Sequence, residues 1–278
     1  ESGAQVVAAL MNPLHVHHLR DLIDAHDALF VVLTGGETVT RDDAMHPKVI
    51  YHSLGYWQAA HTLGRWSAQT FGKRGLTVAS FRESGYDAVY SFMVGAEQTG
   101  AALEPVVTHL PTAKDGPAPA IAAIRRAQPD FVYAAYAGAD ASAFAAAYRA
   151  AGLSHIPLIV SPFFGTALEG AYTVQLAPGD AFSALGADTA HLLAAASGSG
   201  AAALRASLLA VQLSTSRGML TGDAATATIT GQPVLSSVQN GALVRAGLLP
   251  APVACDVCAA MTASGPQSGF TNLYAEIL

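Results

Sequence analysis

The sequence predicts an α/β fold in which parallel sheets carry crossover helices on both faces. Two observations support this. Short apolar runs alternate with helical stretches about five times along the chain. Such alternation is typical of parallel strands joined through helices. Since half of the 278 residues are hydrophobic, the chain can bury a sizeable core in one or two domains.

The elements follow in order from Ala4. Apolar runs predict strands at 4–11, 28–34, 76–81, 103–110, 131–136, 156–162 and 171–176. Helical patterns lie at 17–27, 57–71, 87–100, 118–128 and 138–152, with Asp140 placed to cap the last of these. Beyond Gly170 the rhythm weakens. Helices are predicted at 181–196 and 202–213, and an antiparallel pair at 225–244 with its turn at Asn240 and Gly241.

The charge of the chain excludes one class of partner. Only 12% of residues are charged, the net charge is −6, and no basic run interleaves with aromatic residues. A nucleic-acid partner is therefore not expected. The apolar runs, such as 28–33, are too short to cross a bilayer.

The two cysteines, Cys255 and Cys258, form a CDVC motif in a segment bounded by prolines. A local disulfide or inert thiols are favoured over a redox pair, because a redox pair is expected after a strand and at the start of a helix. A structural zinc would need further ligands that the neighbouring sequence does not offer, so no metal is expected.

Ligands of such sheets bind beyond the carboxyl ends of the strands. The loops at those ends are 12–15, 34–40, 82–87, 136–140 and 161–166, and they are short, glycine-bearing and mostly uncharged. No phosphate-binding glycine motif and no nucleophile elbow occurs, so neither a cofactor nor enzyme activity is expected. The loops favour recognition over catalysis.

Individual loop residues carry alternative interpretations. His15 and His18 share a helix face and could hold a metal, but a capping or surface role is favoured because no carboxylates accompany them. Glu37 could bind a cation or be an exposed loop residue. Four aromatic residues fall at or just past strand ends, where they could line one apolar cleft for a small molecule: Tyr86, Tyr136, Phe163 and Phe164.

Residues 30–107 and 119–164 resemble the type I periplasmic binding proteins of ABC importers, in particular the leucine/isoleucine/valine-binding group and its relatives for amides and aromatic compounds. The resemblance lies in the order of elements and in recurrent phrases: GAEQTGA at 95–101, PDFVY at 129–133 and AAGL at 150–153. It implies two Rossmann-like lobes that close on a ligand between them. The lobes are expected at 1–109, with part of 230–278, and at 110–230, with 231–278 as crossover and closing segment.

The resemblance also implies a ligand site without catalytic residues. The loop at 34–40 would bind a ligand carboxylate or carbonyl through backbone amides and the Thr38 hydroxyl, helped by 12–15. Amino-acid-binding members place an acidic residue where this chain has Phe163, which favours an aromatic or less cationic ligand. The residues expected to bind ligand are Asn12, His15, Gly36, Glu37, Thr38, Ser84, Tyr86, Tyr136, Gly138, Phe163 and Phe164.

The function implied is capture of a small organic solute, such as an amino acid, amide or aromatic compound, for the membrane permease of an ABC importer. The expected location is the periplasm, or outside the cell with a membrane tether. A ligand-sensing domain of a regulator and an enzyme on a doubly wound scaffold are the alternatives. The chain departs from the family before Glu1 and between Phe164 and Asp180, where expected segments are absent or short. Either a piece is missing or the first lobe is pared down.

Overall fold

The computed structural model describes residues 3–13, 15–36, 45–80, 83, 87–108 and 116–249. Within them lie thirteen strands, namely β1 Val6–Leu10, β2 Leu29–Thr34, β3 Val49–Ser53, β4 Arg74–Ser80, β5 Ala102–Thr108, β6 Phe131–Ala135, β7 Leu158–Val160, β8 Tyr172–Gln175, β9 Gln212–Thr215, β10 Gly218–Asp223, β11 Thr228–Thr230, β12 Val234–Gln239 and β13 Ala242–Leu248. The helices are α1 His15–His18, α2 Arg20–Asp24, α3 Tyr56–Thr70, α4 Asp87–Glu97, α5 Ala118–Ala127, α6 Gly138–Ala150, α7 Ala181–Ala195 and α8 Ala201–Leu209.

The strands form two sheets, which we call the first and the second sheet. The first has six strands in the order β1-β2-β3-β11-β10-β9. Strands β1, β2 and β3 run parallel, β11 runs parallel to β3, and β9 to β11 form an antiparallel meander. The first sheet therefore combines the start of the chain with a much later segment.

The second sheet has seven strands in the order β13-β12-β8-β7-β6-β4-β5. Its five strands from β4 to β8 are parallel, and the hairpin of β12 and β13 adds an antiparallel edge. The hairpin turns at Asn240 and Gly241, both at positive φ, as the primed turns of two-residue loops require.

Helices cover both faces of both sheets. In β6, Val132 and Ala134 face a core with α5 and α6, whereas Phe131 and Tyr133 face a core with α3 and α4. This strand is apolar on both faces, as expected of a strand buried inside a parallel sheet. In the first sheet, α7 and α8 cover one face, and α1 and α2 cover the other.

Helices α3 and α4 approach closely because glycines lie at their contact. A Cβ atom at Gly64 would collide with the Phe92 carbonyl oxygen, and one at Gly95 would collide with the His61 carbonyl oxygen. Ser91 Oγ also donates to the Trp57 carbonyl across this contact, at 3.0 Å. Any larger residue at either glycine would force the helices apart.

The chain passes between the two sheets three times within the described residues. We call these passages the crossings: the first covers 54–55, the second 176–180 and the third 231–233. The first leads from β3 into α3, which packs on the second sheet. The second leads from β8 to α7 on the first sheet, and the third joins β11 to β12.

The predicted α/β fold with parallel sheets and crossover helices is confirmed, as is the hairpin turn at Asn240 and Gly241. The first strand of the predicted pair at 225–244 is wrong in part, because Thr228–Thr230 form β11 of the first sheet and the hairpin strand begins only at Val234. Three strands have no counterpart in the prediction, namely β3, β9 and β10. The predicted helix at 202–213 ends at Leu209 and its last residues enter β9, and the predicted helix at 17–27 is two short helices. Asp140 lies in the first turn of α6, not at its N-cap, which is Ala137.

The pairing of strands groups the chain differently from the expected lobes. Residues 74–108, expected in the first lobe, form β4 and β5 of the second sheet, and 212–230, expected in the second lobe, complete the first sheet. The reason is that β3, which the prediction omits, ends the first run of strands at Ser53. Within the described residues, no helix has the length and apolar character needed to span a membrane.

Candidate functional site

The carboxyl ends of β1, β2 and β3 meet at one edge of the first sheet. The Met11 amide donates to the Leu33 carbonyl at 3.1 Å, and the Leu54 amide donates to the Thr34 carbonyl at 3.0 Å. The loops at 12–13 and 35–36 therefore lie side by side with the first crossing, as parallel strands require. This confirms that β1 and β2 present their loops at the same edge.

Gly36 fits tightly at this edge. Its φ is +76°, and a Cβ atom there would lie 2.5 Å from Ser53 Oγ and 2.8 Å from the Tyr56 nitrogen. Its amide donates to Thr34 Oγ1 at 3.2 Å. Only glycine combines this φ with so close an approach of backbone to neighbour.

The start of α3 holds the loop at 35–36 in place. The Tyr56 amide donates to the Gly35 carbonyl at 3.1 Å, and the Trp57 amide donates to the Gly36 carbonyl. These bonds satisfy amides that the first turn of a helix leaves without intrahelical partners. The Gly55 amide donates to Ser53 Oγ at 2.9 Å, which ties the first crossing to the same loop.

At the second sheet, the carboxyl ends of β6 and β7 form the corresponding edge. The Ser161 amide donates to the Ala134 carbonyl, and Ser161 Oγ donates to the Tyr136 carbonyl at 3.0 Å. Phe163 follows with 37% of its surface exposed. An exposed aromatic ring on a turn held by a buried serine is suited to contact with an apolar solute.

Tyr56 connects the two edges. Its backbone amide binds the Gly35 carbonyl of the first sheet, and its ring meets the Phe163 ring of the second sheet edge to face, with centroids 5.2 Å apart. Tyr56 is almost fully buried. Gly35 and Phe163, predicted to lie in or beside ligand loops of different lobes, thus contact the same residue.

The remaining predicted site residues have different surroundings. The half-buried Asn12 accepts a bond from the His15 amide at 3.0 Å, and His15 begins α1. Gly138 is an exposed residue at the start of α6. Glu37, Thr38, Ser84 and Tyr86 lie outside the described residues, as do Cys255 and Cys258.

Two predicted aromatic walls face the core instead. Tyr136 is fully buried and stacks on Phe144 with centroids 4.7 Å apart, and Phe164 meets Phe144 edge to face. Both belong to the core between the second sheet and helices α5 and α6. They support the turns, and Phe163 is the ring of this group that reaches the surface.

A small cavity of about 10 Å³ lies where the crossings meet. Its wall includes residues of all three crossings and of the elements beside them: Leu54, Gly55, Gln58, Leu176, Thr230, Gly231, Gln232 and Pro233. The volume suits a single water molecule and no solute. The crossings therefore lie against one another.

A buried polar network lies on the first-sheet side of the crossings. Arg217, between β9 and β10, donates through Nη1 to His52 Nε2 at 3.3 Å and lies 3.6 Å from Asp188 Oδ2. His52 Nδ1 lies 2.9 Å from Thr189 Oγ1, which itself donates to the Leu185 carbonyl. Because the threonine proton is used on Leu185, His52 donates from Nδ1 and accepts at Nε2, as a neutral ring does.

Burial sets the protonation of this network. Burial, aided by the Arg217 charge, lowers the pKa of His52 to about 3. Burial also raises the pKa of Asp188, which the charge of Arg217 opposes, and lowers the pKa of Arg217. His52 is therefore neutral at physiological pH. No sequence pattern predicts this network, since His52, Asp188 and Arg217 are far apart in the chain and match no motif.

The described residues contain no group of three or more histidine, cysteine, aspartate or glutamate side chains that could hold a metal ion. The edge of the first sheet offers backbone polar groups beside Gly36, and the edge of the second sheet offers the exposed ring of Phe163. This chemistry suits recognition of a solute with an apolar part.

Comparison with known proteins agrees with the fold. A solute-binding protein of an ABC transporter from R. palustris, in complex with benzoate, is 22% identical, with a TM-score of 0.68 over 90% of this chain and 78% of that one. A substrate-binding protein from Sphaerobacter thermophilus is 20% identical, with a TM-score of 0.72 over 89% and 80%. One from Desulfitobacterium hafniense, in complex with Leu, is 17% identical, with a TM-score of 0.66 over 88% and 81%.

Comparison with curated proteins gives no significant match. The family model described as periplasmic binding protein matches residues 1–242, which is most of the sequence. The two sheets, the three crossings between them and the loops at their facing edges agree with this match, and the chain therefore belongs to the periplasmic binding protein family.

Proposed function

We propose that this protein captures a small aromatic carboxylic acid between the two sheets and delivers it to the membrane permease of an ABC importer. The observation that carries this proposal is the position of Tyr56, which contacts the Gly35 carbonyl on one edge and the Phe163 ring on the other. A solute between these edges would meet backbone groups on one side and an aromatic face on the other.

The polar part of the solute is assigned to the first sheet. Backbone amides of the loop at 34–40 and the Thr38 hydroxyl are proposed to bind its carboxylate, with Asn12 and His15 beside them. This is supported by Gly36, whose backbone is fixed by Thr34, Ser53 and α3. Because the backbone at 35–36 is already held in place, binding an anion beside it has no large ordering cost there.

The apolar part is assigned to the second sheet. Phe163 offers an exposed ring and no negative charge, so it favours an aromatic group over an ammonium group. Ser84, Tyr86 and Gly138 are proposed to complete this wall. Related folds bind such solutes: one protein was solved with benzoate, one with 4-hydroxybenzoate and one with 3,4-dihydroxybenzoic acid.

The working location is proposed to be the periplasm, or the outer cell surface by a tether, where family members meet their permeases. We also propose that no reaction takes place on the bound solute. An unreacted solute fits a role in import, because an importer requires the solute to be released unchanged.

Thermal unfolding with benzoate, 4-hydroxybenzoate and leucine tests the proposal. A solute at 100 times its Kd stabilises the native state by about 2.7 kcal/mol, which raises Tm by roughly 5–10 °C for a chain of this size. We expect this shift with an aromatic acid, a smaller one with leucine, and unchanged solute in the recovered solution. Stabilisation by leucine alone would contradict the aromatic assignment, and consumption of the solute would contradict a binding role.

A further inference from the structure

Arg217 lies beside the first and third crossings and contacts the helix that follows the second. Its Nη2 donates to the carbonyl of Ser53, the last residue of β3, at 2.7 Å. The first crossing begins at the next residue, so this bond fixes the point where the chain leaves the first sheet. Arg217 is buried, with 5% of its surface exposed.

The third crossing and the helix after the second crossing also lie against Arg217. A Cβ atom at Gly231, in the third crossing, would lie 3.0 Å from the Arg217 carbonyl oxygen and 3.5 Å from its Cβ atom. The second crossing leads into α7, and about two turns into that helix Asp188 Oδ2 lies 3.6 Å from Arg217 Nη1. Thr215 Oγ1 donates to the same Asp188 oxygen at 3.3 Å.

This placement is poorly explained by stability alone. Replacing a buried ion pair by apolar residues is often neutral or stabilising, because desolvation of the charges offsets their attraction. Within the described residues, Arg217 Nε has no hydrogen-bond partner, which adds to that cost. The guanidinium group instead joins three parts of the chain, which a single apolar side chain could not orient.

The crossings are the chain connections about which the two sheets can rotate, as hinge segments do in domain closure. We propose that Arg217 is a positioning residue that sets the angle at which the first crossing leaves the first sheet, and thereby the separation of the two sheets and their closure on solute. The claim that Arg217 affects closure on solute rests on the proposed function. The claim that Arg217 sets the separation of the two sheets is independent of it.

The test compares two double variants of the full chain. R217M/D188N removes both buried charges together, so that neither is left unpaired, and the amide oxygen introduced by D188N can still accept from Thr215. R74M/D130N is the matched control, because Arg74 and Asp130 form an ion pair at 2.8 Å, with Arg74 largely exposed, at the amino ends of β4 and β6. Spin labels carried by unnatural amino acids at exposed Asp21 and Arg126 report the distance between the sheets.

Without any solute, R217M/D188N is expected to shift and broaden the distance distribution by roughly the several ångströms of a domain rotation, and R74M/D130N is expected to match the parent. With a solute found by thermal unfolding, R217M/D188N should weaken affinity at least about tenfold at a temperature where circular dichroism shows a fully folded chain. A folded R217M/D188N with the parent distribution would overturn the inference.

A second variant covers the case in which R217M/D188N does not fold. R217K keeps the charge beside Asp188, but its compact ammonium group lacks the planar fork that reaches Ser53, His52 and Asp188 together. It should shift the distribution in the same direction, and an unchanged distribution would again overturn the inference. Failure of every solute to bind would contradict the proposed function and leave the distance measurement decisive for Arg217.

Discussion

Tyr56 and Phe163 pack edge to face, with an interplanar angle of 82°. Tyr56 is the first residue of α3 and comes directly after the first crossing, whereas Phe163 follows β7 in the second sheet. Aromatic pairs in this arrangement contribute about 0.5–1.5 kcal/mol beyond the area they bury. The contact holds the exposed Phe163 ring beside the loop that contains Gly36.

Phe163→Ala is expected to weaken binding of an aromatic acid about tenfold, or about 1.4 kcal/mol, because the solute loses the ring it packs on. The unfolding free energy should fall by no more than about 1.5 kcal/mol, since the ring is partly exposed. Calorimetric titration and denaturant unfolding measure the two effects. Leu22→Ala, an exposed apolar truncation on α2, is the control and should leave affinity unchanged. Equal affinities for F163A and the parent would contradict the assignment.

Gly36→Ala is expected to destabilise the fold by about 2–4 kcal/mol. The added Cβ atom would combine a left-handed φ with overlap against Ser53 Oγ and the Tyr56 nitrogen. Gly138→Ala is the control, because Gly138 also has positive φ but a Cβ atom there meets nothing within 4 Å. It should cost only about 1–2 kcal/mol. Urea unfolding distinguishes the two, and a G138A cost equal to that of G36A would contradict the role of close contact.

Gly64→Ala and Gly95→Ala are each expected to cost more than about 2 kcal/mol, because the new methyl group meets a carbonyl oxygen of the facing helix. Gly186→Ala in α7 provides the opposite control, since a Cβ atom there meets nothing within 4 Å. It should stabilise the fold by about 0.5–1 kcal/mol through reduced freedom of the unfolded chain. Thermal unfolding of the three variants measures the difference, and loss of stability in G186A alone would contradict this account of the contact between α3 and α4.

His52 should make stability depend on pH. Its pKa is about 3 in the folded chain and about 6.5 when unfolded, so between these values the unfolded state binds the extra proton. The stabilising contribution of the neutral ring is thus complete above about pH 6.5 and is lost as pH falls towards about 3. Near pH 5 the slope from this group is about 1.4 kcal/mol per pH unit.

The variant His52→Asn removes that slope while keeping a polar side chain. Asp188 has a raised pKa and contributes with the opposite sign, but it is present in both proteins, so the difference between parent and H52N reports His52. Urea unfolding from about pH 7 to about pH 4.5 measures both slopes. Identical slopes would show that His52 titrates normally in the folded chain.

The repeated alternation of strand and helix was predictable because each element carries its own local pattern. Strand β3, with the sequence VIYHS, escapes prediction although its β-branched and aromatic residues are typical of a strand, since it is short and ends in a polar pair. The β9 and β10 pair contains few apolar residues and lies at the sheet edge, so its pattern is weak.

From the sequence, loop position indicates only which residues follow the strands. Gly36 and Phe163 follow strands, and their loops were expected to face a solute. Which of two adjacent phenylalanines is exposed depends on packing against Phe144, and the sequence does not reveal it. Arg217 and Ser53 meet through the fold alone, since no local pattern links residues so distant in the chain.

The pairing of β3 with β11 has a consequence for synthesis of the protein. Tyr51 lies opposite Thr228, so the first sheet cannot be completed until the ribosome has made almost all of the described chain. Until then one side of β3 has unpaired backbone groups, while β4 to β8 can already pair with one another. Nascent chains that stop before residue 228 should therefore hold β4 to β8 paired with one another, while one side of β3 and one side of β8 stay open to aggregation and to proteases.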